Sequence, residues 1–135
     1  MDKQDIIGVW RSGGQKVLNK DGSLKSSRSP SPGYILYTPD GHMMVLSTNP
    51  EGVSKDDPAR LSAGEKARAA DACVAYFGPY EVKGGTVTHH VEVALFPAWV
   101  GKTRVRHANI EGKRMTFVTE PNADGSVSHI YWDRV

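Results

Sequence analysis

Apolar residues along this chain fall in short runs separated by glycine, proline, serine and asparagine. That is a pattern of strands and turns rather than of long helices. Residues 6–10, Ile-Ile-Gly-Val-Trp, open a first strand. Residues 19–33, Asn-Lys-Asp-Gly through Pro-Ser-Pro-Gly, are turn chemistry throughout and predict a long loop or a weak edge ribbon. The segments 34–38 and 42–47 flank Pro39-Asp40-Gly41. Pro39 suits a type I turn and Gly41 the positive φ that closes a hairpin with a bulge. Both arms are apolar on both faces, so alternation assigns no inside there. Residues 49–61 are again irregular.

One segment has a helical period. Ser62 and Glu65 have capping-box spacing, and Ala63, Ala67, Ala70, Val74 and Phe77 recur on one helical stripe. The spacing predicts a helix over about 62–77, ended by Gly78-Pro79. Cys73 lies near the stripe as a packed residue. From residue 80 onward the chain is strand and turn at regular intervals. The count is about eight strands with one α-helix inserted mid-chain. The expected class is all-β, an antiparallel up-and-down barrel, since closure removes exposed edges.

The run Thr-Val-Thr-His-His-Val-Glu-Val-Ala-Leu-Phe (86–96) raises the main chemical question. Side chains alternate faces along a strand, so His89 and His90 point apart. Val87, His89, Val91, Val93 and Leu95 form an apolar register that should face inward; His90 and Glu92 share the other. Glu92 with Arg104 or Arg106 is a natural outer-face pair. His89 is then a polar ring on an apolar face, which requires a hydrogen-bond partner or a ligand. On the neighbouring strand, His107 shares a register with Val105 and Thr103 and is a candidate to face in. His42 follows a turn and is expected outside, as is His129.

Composition narrows the function classes. The 135 residues fit one domain, 1–135. The formal net charge is +2 and the basic residues are scattered, so nucleic acid is not an expected partner. Lys16, Lys20, Lys25 and Arg28 read as solvated surface. A single cysteine excludes an internal disulfide. No apolar run reaches membrane-spanning length, and a cytoplasmic location is expected. There is no nucleophile elbow, no His-Glu-x-x-His and no phosphate-binding glycine loop. No His/Asp/Glu cluster has metal-ligand spacing, and no cofactor is expected.

Gly-Val-Trp (8–10), residues 33–43, 76–82 and 88–92, and Phe-Pro-Ala-Trp-Val-Gly (96–101), in that order, resemble the lipocalin-like domain proteins over nearly the whole chain. The resemblance implies a calycin-like barrel with a central cavity. It also implies that Trp10 packs under Arg134 of the final strand, a structural lock through cation–π contact. A barrel of about eight strands holds one small ligand. Candidates for the lining are Tyr34 or Tyr37, Met44 or Met43, Tyr76 or Tyr80, and His89, Val91, Trp99, His107, Phe117 and Trp132. Two functions fit. One is an enzyme without cofactor, doing isomerisation, elimination or cyclisation on a small hydrophobic or aromatic molecule, with His89 as acid–base residue beside the hydroxyl of Tyr37 or Tyr76. The other is a carrier for a hydrophobic metabolite, or for haem with a histidine as axial ligand. A homodimer is an expected assembly.

Overall fold

A computed structural model describes residues 1–135. Ten strands form one antiparallel sheet: β1 (Gly8–Leu18), β2 (Leu24–Arg28), β3 (Gly33–Tyr37), β4 (His42–Thr48), β5 (Cys73–Lys83), β6 (Thr86–His90), β7 (Val93–Ala94), β8 (Thr103–Glu111), β9 (Arg114–Val118) and β10 (Val127–Arg134). Eight of them, all but β2 and β7, follow one another in chain order around a closed barrel, with β10 returning to pair with β1. β2 extends from the far half of β1, and β7 is a short addition to β5.

Strand β1 serves two neighbours on one edge because it bends. Gly8–Arg11 pairs with β3 and Gln15–Leu18 with β2, with a bulge between Ser12 and Gln15. The bulge requires glycine: Gly14 has φ +91°, and a Cβ there would lie 2.7 Å from the Arg28 carbonyl oxygen. Residues 19–33, loop-like by composition, thus contain the exposed strand β2 and then run Ser29–Pro32 back to the barrel wall. The hairpin β3–β4 closes at Pro39-Asp40-Gly41, with Gly41 at φ +96° and its N–H donating to the Thr38 carbonyl.

The helix is shorter than its periodicity predicts. Helix α2 covers Ala63–Asp71, with the Ser62–Glu65 capping box formed at its start. Val74 and Phe77 belong to β5 instead, where residues 73–79 pair with β4 from Thr48 back to His42. The alanine stripe has too little apolar surface to compete with that ladder, and no residue of α2 is buried. Gly78-Pro79 does not terminate a helix but sits inside a strand. A Cβ on Gly78 would lie 1.8 Å from the His90 carbonyl oxygen, so glycine permits the close approach of β6 to β5.

One end of the barrel is packed solid. A short α1 (Lys3–Ile6) tucks Ile6 beneath Trp10, whose Nε1–H donates to the Ile6 carbonyl at 2.9 Å. Trp10 is fully buried, and the Arg134 guanidinium lies 4.1 Å from its ring while donating to the carbonyls of Ile7 and Asp5. Tyr37, Met43, Tyr80, Val87 and Met115 complete this core. The outer faces of β3, β4 and β5 remain apolar, with Tyr34, Met44, Leu46 and Phe77 exposed. No helix is long and apolar enough to cross a membrane.

Candidate functional site

The other end of the barrel is hollow. A cavity of about 280 Å³ is lined by Ile35, Val45, Tyr76, His89, Trp99, Arg104, Arg106, Phe117, Ile130 and Trp132, together with Ser12, Gln15, Arg28, Ser29, Ser31 and Ser47. Each barrel strand delivers alternate residues here, as pleating requires. Ile35 and Val45 face each other across β3 and β4, Val45 stands opposite Tyr76, and His89 stands opposite Arg104.

His89 is 1% exposed and both its ring nitrogens are engaged. Nε2 lies 2.7 Å from the Tyr37 hydroxyl and Nδ1 2.8 Å from the Tyr76 hydroxyl. Burial, with the nearby charges of Arg106 and Arg104, lowers the imidazole to about 3, so it is neutral at ordinary pH. A neutral imidazole has one donor and one acceptor nitrogen. Tyr37 is sealed in the core and its hydroxyl has no partner but His89. Its proton therefore goes to Nε2, leaving Nδ1–H to donate to the Tyr76 oxygen. The opposite tautomer would strand the Tyr37 proton without an acceptor. The chain runs Tyr37 to His89 to Tyr76, and the Tyr76 proton is left free for the cavity that this residue lines. Burial raises both phenols above their ordinary value, Tyr37 well above it, while Arg106 and Arg104 pull Tyr76 down. Tyr76 is thus a neutral hydrogen-bond donor, strengthened by the bonds behind it.

Two arginines share the cavity. Arg104 and Arg106 point inward, in the register continued by the core-packed Ala108 and Ile110. The outer-face pair with Glu92 does not form; Glu92 is exposed beyond the end of β6. The Arg104 guanidinium stacks 4.7 Å over Trp99 and 5.8 Å over Tyr76. Arg106 Nη1 donates to the Val105 carbonyl, and burial lowers its basicity. Neither arginine has a carboxylate partner: the ion pairs of the molecule all lie elsewhere. Trp132 adds an indole N–H that is buried with no acceptor.

Of the residues expected in the lining, Tyr76, His89, Trp99, Phe117 and Trp132 are there. Tyr34 and Met44 lie on the outer face, because the inward register of the hairpin is Ile35, Tyr37, Met43 and Val45. His107 is also outside, bonded to Glu120 at 2.6 Å, because the inward register of β8 is the arginine one. Tyr80 is buried but donates to the Thr38 carbonyl and does not reach the cavity. Tyr37 sits behind His89. Val91 is core rather than lining, and beyond it the register is lost: β6 ends at His90, and Val93 and Leu95 are exposed. His90 faces out and bonds Glu81. Since both nitrogens of His89 are taken, axial ligation to a haem iron would break one of its hydrogen bonds.

Sequence reasoning missed Arg104 and Arg106, because charged residues at alternate positions read as a solvated face. Ala108 and Ile110 carried the contrary signal: extending their register back by twos reaches both arginines.

Comparison with known proteins agrees with this architecture. A family model described as a lipocalin-like domain matches residues 7–135. Among solved structures, a lipocalin-like protein from Bacteroides uniformis ATCC 8492 is similar over 97% of this chain and 99% of its own, at 12% identity and a TM-score of 0.52. A protein of uncharacterised function from Bacteroides eggerthii DSM 20697 is similar over 96% of this chain and 99% of its own, at 13% identity and a TM-score of 0.51. At such identities the likeness is one of fold. No curated protein matches the sequence significantly.

Proposed function

The chain belongs to the lipocalin-like domain family, and from that premise we propose that it binds a small, largely apolar or aromatic molecule in the barrel and acts on it by acid–base chemistry without a cofactor. The observation that carries this reading is the hydrogen-bond chain from Tyr37 through His89 to Tyr76, which ends at a cavity walled by Ile35, Val45, Phe117 and Trp132. A binding pocket made only for solubilising a metabolite gains nothing from three buried polar groups in series, each of which must be satisfied to avoid a cost. Tyr76 is the group that touches the ligand. Its hydroxyl polarises a carbonyl, or gives its proton to a leaving oxygen and recovers one from the adjacent substrate carbon as the double bond forms, while His89 and Tyr37 are positioning residues that hold the phenol and support it from behind. This favours elimination or cyclisation begun at an oxygen over isomerisation begun by a base. The walls hold the substrate in a reactive shape away from bulk water.

A carrier is the second reading, and a specific observation favours it. No carboxylate lines the cavity, and His89 is neutral with both nitrogens occupied, so no free base is present. Small molecules released from the denatured protein, identified by mass and returned to fresh protein, separate the two. The enzyme reading expects conversion by wild type and a loss of about 10²–10⁴-fold in Tyr76→Phe with the fold intact. Molecules recovered unchanged, with Tyr76→Phe altering only their retention, would establish the carrier.

A further inference from the structure

Resting on the reading of the cavity as a ligand site, we infer that the ligand is an organic anion: an apolar or aromatic body bearing a carboxylate, whose head is received by Arg104 and Arg106.

The arginines and the tyrosine of the cavity present donors. Arg104 and Arg106 have only N–H groups to offer, and the tautomer of His89 leaves Tyr76 with a proton to give. Ser12, Gln15 and Ser47 add hydroxyls and an amide that can also accept. A ligand matching the interior must therefore supply acceptors, two or more of them close together.

Charge points the same way. Three arginines, Arg28, Arg104 and Arg106, line one hollow that has no acidic residue in its wall, and none of them takes part in an ion pair. Arg104 lowers the basicity of Arg106, and both lower that of His89. Confining like charges in a partly dry space is unfavourable unless something compensates. The protein itself supplies no counter-charge, and a bound carboxylate would. A planar carboxylate suits the guanidinium fork, and its two oxygens can be shared between arginines. The rest of the lining, Ile35, Val45, Phe117 and the face of Trp99, fits an apolar or aryl body.

Isothermal titration at neutral pH with paired aryl acids and amides, benzoate and cinnamate against benzamide and cinnamamide, tests this. Each acid is expected to bind at least about tenfold more tightly than its amide, since hydrogen bonds to charged groups exceed neutral ones by that margin. Arg106→Met should remove most of the preference, bringing acid close to amide, without weakening the amide. The ligand-free Arg106→Met protein should melt no lower than wild type, because an uncompensated cation has been removed. Equal binding of acid and amide by wild type overturns the anion and leaves the cavity reading standing. Failure of acids, amides and a neutral hydrocarbon such as styrene to bind overturns both. Should Arg106→Met fail to fold, the arginine is a structural group, and the acid–amide contrast in wild type still decides the charge.

Discussion

At the scale of single residues, the central imidazole makes the protein sensitive to acid in a definite direction. Folded His89 stays neutral down to about 3, whereas in the unfolded chain it takes up a proton below about 6.5. Between those values the unfolded state binds more protons, so stability is fully present above the upper limit and falls as pH falls through the window. Each pH unit within it costs about 1.4 kcal/mol. Thermal melts at pH 7 and pH 4 should show a smaller drop for His89→Gln than for wild type; equal drops would mean that the ring is not held neutral. The inward placement of His89 was legible in the sequence, because its register with Val87 and Val91 is apolar. Tyr37 and Tyr76 were legible only as alternative partners among several tyrosines; that both bond the ring at once was not, because they lie 52 and 13 residues away on other strands. Arg104 and Arg106 were illegible for a different reason. A charged pair facing a hollow violates the rule by which strand faces are assigned, and such violations collect where ligands bind.

At the scale of elements, the approach of β5 to β6 holds the imidazole where the phenols reach it. Gly78 lets the His90 carbonyl come within a distance no side chain would tolerate, and beyond it the Glu92 N–H donates to the Phe77 carbonyl. Gly78→Ala should therefore destabilise the fold by more than about 3 kcal/mol, as read from denaturant unfolding. A change under about 1 kcal/mol would show that the strands can separate at little cost. The same region accounts for the misread helix. The start of α2 is encoded locally in the Ser62–Glu65 box. Its end is encoded by pairing with β4, which no window along the sequence contains. The hairpin β3–β4 is the opposite case. Its turn was legible in Pro39-Asp40-Gly41, but its register was not, since Leu36, Met44 and Leu46 are as apolar as the residues that face in.

At the scale of the whole molecule, the barrel is sealed where its two termini meet. Arg134, on the last strand, stacks on Trp10 of the first and bonds carbonyls of the segment before it. Arg134→Ala should cost about 2 kcal/mol, combining a desolvated cation–π contact with two charge-assisted hydrogen bonds. Chemical denaturation would measure it, and hydrogen exchange should show the loss concentrated in α1 and the ends of β1 and β10. An unaffected midpoint would mean that Ile6 and the strand pairing close the floor unaided. With that floor shut, traffic to the hollow is left to the opposite end, where Ser29, Ser31 and Trp99 line it. Whatever enters must leave by the same route, in reverse order and past the same side chains. For a molecule held there, the pace of exchange would then be set by Trp99 at that end rather than by the imidazole.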